Sequence, residues 1–252
     1  MDTSARQAAI VAAVNERSRV SVTELAELTA CSEMTIRRDL EALERGAALR
    51  RVHGGAVSVP LSAVEPPWAV RALTNQEIKR KLASACVELL SDGESIILDT
   101  GTTALEIGKA LRGRSVTVAP LSAQVMCALS DSAGIQLMVP GGTLRLGELA
   151  FVGEHAERAF ADLRFDTMIL TCCGLDARNG ASAHHLEDVR VKRAALASAR
   201  RVLAVVTGEK LGRVAFGQIC PPSRIDRIIT SADDDQLEVD GLRSAGVTVM
   251  TV

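Results

Sequence analysis

Short runs of apolar and β-branched residues alternate with helical stretches through the last two thirds of the chain. The runs are Ser95–Leu98, Val116–Ala119, Ile135–Val139, Thr167–Thr171, Val202–Val206, Arg227–Thr230 and Val247–Thr251. Helical periodicity is found in Asn75–Leu90, Ala104–Leu111, Ala123–Leu129, Glu154–Phe160, Glu187–Ala199 and Asp234–Ala245. Strands that alternate with helices form mostly parallel sheets covered on both faces. We therefore predict an α/β fold in which residues 75–252 form a mostly parallel, Rossmann-like sheet domain.

The first sixty residues have a different, purely helical pattern followed by a short β-rich segment. A first helix is predicted from Ser4 to about Arg17. Ser21 and Glu24 have the spacing of a capping box, which predicts the start of a second helix. After a tight turn, Ser32 can cap a third helix.

The third helix has one apolar face and one polar face. At 100° per residue, Ile36, Leu40 and Leu43 fall together and are predicted to face the core. The first turns then expose Met34, Thr35, Arg37 and Arg38. In a helix-turn-helix, this end of the second helix of the motif reads base edges in the major groove. We expect Arg38 and Thr35 to contact bases, and Ser32 and Arg37 to contact mainly phosphates. A solvated helix face with ordinary charges is the alternative.

A predicted hairpin after this helix favours the DNA-binding interpretation. Ala48–Val52 is predicted as a strand, His53–Gly55 as a turn and Ala56–Val59 as the returning strand. The hairpin carries Arg50, Arg51 and His53, which we expect to contact DNA. Residues 1–59 are therefore predicted to form a winged helix-turn-helix domain.

Charge and composition limit how such a domain could bind DNA. The whole chain has a formal net charge of −2, and residues 1–58 hold as many acidic as basic side chains. DNA affinity must therefore come from where the arginines point. The prolines at 60, 66 and 67 predict a stiff linker over residues 60–74. The cysteines and histidines lack zinc-ligand spacing, and no membrane span or signal peptide is evident, so we expect a cytoplasmic protein without a metal or cofactor.

Ligands of parallel sheets bind beyond the carboxyl ends of the strands. Three loops there are candidates for a binding site: 99–103, with Asp99, Gly101, Thr102 and Thr103; Gly141 with Gly142; and 207–210, with Lys210. The first loop opens a helix, where free amides and threonine hydroxyls can bind a phosphate. It lacks a lysine at Walker spacing, so it is not a nucleotide P-loop. A capped helix start and an exposed surface lysine are the alternatives for the first and third loops.

Motifs in both halves carry a family resemblance. T-I-R-R-D-L and L-R-R-V-H-G-G-A, within residues 4–58, resemble the DNA-binding domain of DeoR-type bacterial regulators. L-D-T-G-T-T, P-G-G, G-L-D-x-x-N-G, V-K-R-A and K-L-G-R resemble the effector domain of that family. The resemblance implies a fold similar to ribose-phosphate isomerases and CoA-transferases, and an effector that is a phosphorylated sugar or related metabolite. It also implies that Asp99, Gly101, Thr102, Thr103 and Lys210 line the effector site.

The chain departs from the family pattern near this site. Pro120–Ser122 stands where the family usually has Thr-Asn-Ser, Thr207 replaces an Asp, and Ser231 replaces another Asp. A sugar hydroxyl that loses a carboxylate partner loses roughly 1.5–3 kcal/mol. We therefore expect the usual sugar phosphate to bind weakly, or a different ligand to take its place.

Two functions are compatible with these patterns. The first is a sequence-specific regulator of transcription, most often a repressor in this family, that binds operator DNA as a homo-oligomer because paired half-sites require one. The alternative is an isomerase-like enzyme with an added helical domain, for which His184, His185, Glu187 and Asp188 are the densest candidate group. We read that stretch as a polar loop that leads into a helix, and predict no catalytic residue.

Overall fold

The computed structural model describes residues 3–45, 49–58 and 65–252. The chain divides into two compact units, Met1–Gln76 and Glu77–Val252. The first unit contains the winged helix and the second contains the large sheet. Among the described residues, no helix is long and apolar enough to cross a membrane.

The first unit is a winged helix-turn-helix, as predicted. Its helices are α1 (Thr3–Arg17), α2 (Val22–Thr29), α3 (Glu33–Arg45) and α4 (Trp68–Leu73), and its strands are β1 (Arg19–Ser21), β2 (Arg50–Val52) and β3 (Gly55–Val57). The predicted capping box is present: Ser21 Oγ accepts the Glu24 amide, and the Glu24 carboxylate accepts the Ser21 amide. The turn between α2 and α3 begins at Ala30, whose φ of 53° is left-handed and stops α2. The fully buried Ile10, Val14 and Leu25 form the core with the apolar face of α3.

The wing contains a strand that the sequence patterns did not reveal. β1 pairs with β3, and β3 pairs with β2, so a three-stranded antiparallel sheet replaces the predicted two-stranded hairpin. Gly55 allows this pairing, because a Cβ at that position would lie 2.2 Å from the carbonyl oxygen of Val20 in β1. The first residue of the predicted wing strand, Ala48, and the last residue of the predicted returning strand, Val59, lie outside the described residues.

The predicted linker over residues 60–74 contains a helix. Residues 60–64 lie outside the described part, and regular structure resumes after Pro67 with α4. Val70 of α4 is buried and belongs to the core of the winged helix. Part of the segment predicted as a linker therefore belongs to the first unit, and the rest of the linker assignment stays a prediction.

The second unit is built on a parallel sheet of seven strands, which confirms the predicted fold class. Its helices are α5 (Gln76–Glu88), α6 (Thr102–Leu111), α7 (Ala123–Leu129), α8 (Glu154–Arg158), α9 (Leu186–Ser198) and α10 (Leu237–Ser244). Its strands are β4 (Ser95–Leu98), β5 (Val116–Pro120), β6 (Ile135–Leu137), β7 (Thr143–Arg145), β8 (Ala150–Val152), β9 (Phe165–Leu170), β10 (Gly174–Asp176), β11 (Gly180–Ala183), β12 (Ala199–Val206), β13 (Gly217–Cys220), β14 (Arg227–Thr230) and β15 (Thr248–Thr251). The seven strands lie in the order β15-β14-β12-β9-β4-β5-β6, and every neighbouring pair is parallel.

Both faces of this sheet are buried, because side chains alternate between two separate apolar clusters. In β4, Ile97 belongs to one cluster, whereas Ile96 and Leu98 belong to the other. This alternation is the period of two expected of a strand, applied to a sheet with helices on both sides. The central strands β4, β9 and β12 are neighbours, so their carboxyl-end loops lie side by side.

Two antiparallel additions were not predicted. β7 and β8 form a two-stranded ribbon, and β10, β11 and β13 form a small sheet. The ribbon lies against the loop after β5, where Leu121 O accepts the Phe151 amide at 2.9 Å.

Candidate nucleic-acid interface and effector site

The recognition helix α3 has the buried and exposed faces that the angular pattern predicted. Ile36, Leu40 and Leu43 are at most 2% exposed, and Met34 is 66% exposed. Arg37 and Arg38 are exposed, and Thr35 is half-buried. The first turns of α3 therefore offer their polar side chains to a partner.

Ser32 and Thr35 occupy the start of α3. Ser32 Oγ accepts the Thr35 amide at 3.3 Å, and the two hydroxyl oxygens lie 3.0 Å apart. Ser32 thus satisfies one of the free amides at the helix start, as a capping serine does. Each hydroxyl keeps hydrogen-bonding capacity for an incoming phosphate or base.

A buried ion pair fixes α3 against α1, and the sequence patterns did not single it out. Asp39 is 5% exposed, and its carboxylate accepts hydrogen bonds from Arg6 Nε at 2.6 Å and Gln7 Nε2 at 3.2 Å. The signal was available, because Asp39 lies between Ile36 and Leu43 on the apolar face. The pair sets the angle at which α3 is presented.

The arginines around α3 and the wing differ in their surroundings. Arg37 Nη2 lies 3.1 Å from Glu33 Oε2, and Arg51 Nη1 lies 3.1 Å from Glu41 Oε1. Arg38 and Arg50 are exposed, and neither makes an ion pair or side-chain hydrogen bond with any described residue. His53 is exposed at the tip of the wing, followed by Gly54 with a φ of 78°.

In the second unit, the loop after β4 is held by its own aspartate. Asp99 is fully buried, and its oxygens accept the Thr100 amide at 2.7 Å and the Thr171 amide at 2.8 Å. Lys192 Nζ forms an ion pair with Asp99 at 2.8 Å, and both side chains are at most 5% exposed. Asp99 therefore ties this loop to the end of β9 and to α9.

The start of α6 has unsatisfied polar groups. Gly101 precedes the helix with a φ of 98°, and no side chain caps its amides. Thr102 and Thr103 are nearly buried, and their hydroxyls make no hydrogen bond to the residues that the structure describes. A helix start with free amides and hydroxyls suits an anion.

Lys210 lies in the loop after β12 and contacts the residues that follow β9. Its Nζ donates to Cys172 O at 2.7 Å, while Lys192 Nζ donates to Thr171 O at 3.0 Å. Thr171 also adjoins the loop after β4, because a Cβ on Gly101 would lie 3.6 Å from Thr171 Oγ1. Thr171, whose amide and hydroxyl donate to Asp99 and Thr100, and Cys172, whose carbonyl accepts from Lys210, thus connect the candidate loops 99–103 and 207–210.

The candidate pair Gly141 and Gly142 follows β6, which is the edge strand, separated from β4 by β5. A Cβ on Gly142 would lie 2.5 Å from Val152 O, so glycine is needed there for the close approach of β8. Gly141 has a φ of 75° with open space around its Cβ position. The structure provides a packing reason for Gly142 and none for Gly141.

The residues that depart from the family pattern form local hydrogen bonds. Ser122 Oγ caps α7 by accepting the Val125 amide at 3.3 Å. Thr207 Oγ1 donates to Glu209 Oε1 at 3.2 Å, and Ser231 Oγ accepts the Gly208 amide at 3.1 Å.

A series of buried, alternating charges runs through α9, and the sequence patterns missed it. Arg145 contacts Asp188 at 2.6 Å, and Asp188 lies one helical turn before Lys192, which pairs with Asp99. Burial alone would lower the pKa of Lys192, but the attraction of Asp99 and Asp188 outweighs it and raises that pKa, so the lysine stays charged. The V-K-R-A motif marked the lysine, but its partner is distant in sequence.

The ion pair between Arg145 and Asp188 involves one member of the candidate catalytic group at 184–188. Both Asp188 oxygens accept hydrogen bonds from Arg145, at 2.8 and 2.6 Å, and Asp188 is buried. His185 and Glu187 are exposed. Among the described residues, no group of three or more histidine, cysteine or acidic side chains is placed to hold a metal ion.

A winged helix-turn-helix joined to a parallel-sheet domain is the architecture of a DNA-binding transcription regulator with a sensor domain. Family comparisons agree: residues 6–60 match the DeoR-like helix-turn-helix domain, and residues 74–232 match the DeoR C-terminal sensor domain. The chain belongs to the DeoR family of transcriptional regulators.

Full-length relatives are similar over nearly the whole chain. A candidate aga operon transcriptional repressor of Escherichia coli O157:H7 is 33% identical, over 99% of this chain and 94% of that protein. The glycerol-3-phosphate regulon repressor of Escherichia coli strain K12 is 31% identical, over 90% of each chain. Among solved structures, ribose 5-phosphate isomerase A of Methanocaldococcus jannaschii is 17% identical with a TM-score of 0.41, covering 54% of this chain and 55% of that one.

Proposed function

We propose that this regulator represses transcription from an operator that it reads with α3 and the wing, and that a phosphorylated sugar or related metabolite controls it. The observation that supports DNA reading is Arg38, which is exposed on the outer face of α3 and makes no ion pair with any residue that the structure describes. Repression is proposed because the relatives described above include repressors.

For the operator, we propose direct base contacts from Arg38 and Thr35, with Met34 beside them. Phosphate contacts come from Ser32, Arg37, Arg50, Arg51 and His53. The assignment follows from exposure: within the described ranges no carboxylate pairs with Arg38 and competes with a guanine edge, and arginine binds guanine bidentately. A domain without net positive charge depends on such placed contacts.

Replacement of Arg38 by alanine tests the base contact. A lost bidentate pair costs about 1–3 kcal/mol, so affinity for the chain's own promoter DNA should fall roughly 5- to 150-fold. Fluorescence anisotropy with labelled promoter duplex measures the change. Arg200→Ala, which removes an 81% exposed arginine from the sheet domain, is the charge-matched control. An Arg38→Ala variant with unchanged affinity would refute the assignment.

For the effector, we propose that the start of α6 binds the phosphate. Gly101, Thr102 and Thr103 would lie on one side of the phosphate and Lys210 on the other. Asp99 acts by holding the loop, because its oxygens are occupied by Lys192 and backbone amides. Gly141 and Gly142, in the loop after β6, remain proposed members of this site. Arg213 is a second cation three residues after Lys210, and its buried Nη1 has no acceptor among the described residues.

A thermal-shift screen of sugar phosphates tests this site. A ligand that stabilises the wild-type chain should lose most of its shift in Lys210→Ala and in Thr102→Val, since a hydrogen bond to a charged group contributes about 1.5–3 kcal/mol. Lys81→Ala, an exposed lysine of α5, is the control. A ligand whose shift survives both site changes binds elsewhere, and the proposed site would be wrong.

We further propose that the protein acts in the cytoplasm as a homo-oligomer without catalytic activity. Paired operator half-sites require two winged helices. The candidate catalytic carboxylate Asp188 is occupied by Arg145, which argues against its use as a base. Turnover of a sugar phosphate by the full chain would contradict this proposal.

A further inference from the structure

Two carboxylates of the recognition helix, Glu33 and Glu41, form ion pairs with arginines that are proposed to contact DNA. Glu41 Oε1 is 3.1 Å from Arg51 Nη1, and Glu33 Oε2 is 3.1 Å from Arg37 Nη2. Both pairs lie on the surface, with side-chain exposures of 38% for Arg51 and 57% for Glu41. Arg38, one turn before Glu41 on the same face, has no such partner among the described residues.

The Glu41 contact also connects two elements of the domain. Arg51 belongs to the wing strand β2, and Glu41 belongs to α3, so the pair fixes the wing arginine against the recognition helix. The neighbouring Glu44 accepts the Arg51 amide at 2.9 Å and holds the backbone at the same place. Arg51 is therefore held at both its backbone and its side chain by α3.

We propose that Glu41 restrains Arg51 and, in the same manner, that Glu33 restrains Arg37, so that these carboxylates limit the affinity of the protein for DNA of arbitrary sequence. A DNA phosphate must displace the carboxylate before it can bind the guanidinium. Binding to arbitrary DNA consists almost entirely of such phosphate contacts. The inference rests on the proposed contact between the wing and DNA.

The limit matters because arbitrary DNA competes with the operator. A genome offers on the order of a million or more non-operator sites, so general affinity determines how much regulator remains for the operator. A domain with balanced charge already has low general affinity. The ion pairs lower it further at Arg37 and Arg51, two of the arginines proposed to contact the backbone.

The test is the affinity for a random-sequence DNA duplex, measured by fluorescence anisotropy over a series of salt concentrations. Glu41→Gln keeps the shape of the side chain and removes its charge. An exposed ion pair is weak, so the expected gain in affinity is about two- to five-fold. If one further phosphate contact forms, the salt dependence should steepen by up to about 0.9 in the log–log slope. Glu41 is tested rather than Glu33 because its pair with Arg51 joins the wing to the recognition helix, whereas the pair of Glu33 with Arg37 lies within α3.

A double-mutant comparison separates the restraint from a general loss of negative charge. Glu27→Gln, at an exposed α2 position without a partner among the described residues, changes the net charge equally and should raise affinity by less than the Glu41 variant. In an Arg51→Ala background, Glu41→Gln should give no more than the Glu27 control. A gain of equal size with and without Arg51 would overturn the proposal.

The outcomes also separate this inference from the function on which it rests. If Arg51→Ala alone leaves DNA affinity unchanged, the wing contact itself is wrong. If Arg51→Ala weakens binding but Glu41→Gln does not strengthen it, the wing contact stands and only the restraint is refuted. Thermal unfolding of each variant checks that the winged helix remains folded.

Discussion

The buried pair between Lys192 and Asp99 should be the most sensitive position of the sheet domain. Nζ and Oδ2 are 2.8 Å apart, and the two side chains are 5% and 0% exposed. Replacement of Lys192 by methionine leaves a buried carboxylate without its counter-ion. Removal of one partner from a buried pair costs about 3–5 kcal/mol.

The size of this effect can be converted into a melting temperature. For a domain of 150–250 residues, each kcal/mol shifts Tm by about 2–4 °C, so Lys192→Met should lower Tm by roughly 6–20 °C. Differential scanning calorimetry of the full chain measures the change. Trp68, the only tryptophan, lies in α4, so its fluorescence follows the first unit separately.

A double-mutant cycle isolates the pair from simple loss of packing. Asp99→Asn removes the charge and keeps one of the two oxygens that accept the Thr100 and Thr171 amides. The double variant Asp99→Asn/Lys192→Met should be less destabilised than the sum of the two single variants, by about 0.5–3 kcal/mol. Lys81→Met, at an exposed position, should have little effect. Strict additivity would show that the two charges do not interact, and the reasoning would fail.

Three further predictions follow from local structure. Cys127 is exposed and should react with a thiol reagent in the native protein, whereas burial raises the pKa of Cys86 to about 12, and its thiol should react only on unfolding. Gly55→Ala should destabilise the winged helix by about 1–3 kcal/mol through its clash with β1, and more than Gly54→Ala, which meets no atom but keeps a positive φ, when Trp68 fluorescence follows unfolding. Hydrogen bonds from the backbone and side chain at the start of β4 lower the pKa of Asp166. Its stabilisation is present above the ordinary value of 3.8 and is lost as the pH falls below it, so Asp166→Asn should reduce acid sensitivity in that range.

The parallel sheet could be predicted from sequence because its strands are buried on both faces. Short continuous apolar runs such as Val202–Val206 are typical of strands in parallel sheets. The helices between the runs indicate crossover connections and hence parallel strands. The small antiparallel sheet could not be predicted. Its strand Gly180–Ala183 is built from small residues without alternation, and it lies between the nearby strand Gly174–Asp176 and Gly217–Cys220, which is far along the chain.

For the candidate effector site, the sequence could indicate loops but not the contacts between atoms. The motif around Asp99 marked a strand end, but the contacts of that carboxylate depend on Lys192, which no local pattern connects to it. The same holds in the winged helix. The helical period correctly gave the buried face of α3, whereas the pairing of Arg51 with Glu41 depends on how the wing folds back.

The two regions for which we propose phosphate binding differ in what an incoming phosphate must displace. At the proposed effector site, Lys210 donates to the carbonyl of Cys172, which is a neutral acceptor. If a phosphate takes the place of that carbonyl, a charge–charge contact replaces a charge–dipole contact. At the wing, Arg51 is held by the Glu41 carboxylate, so exchange replaces one anion with another and gains little. We therefore expect a small phosphorylated ligand to bind at the proposed effector site through few contacts. DNA must combine many weak phosphate contacts with base contacts from α3, and this requirement favours the operator over arbitrary sequence.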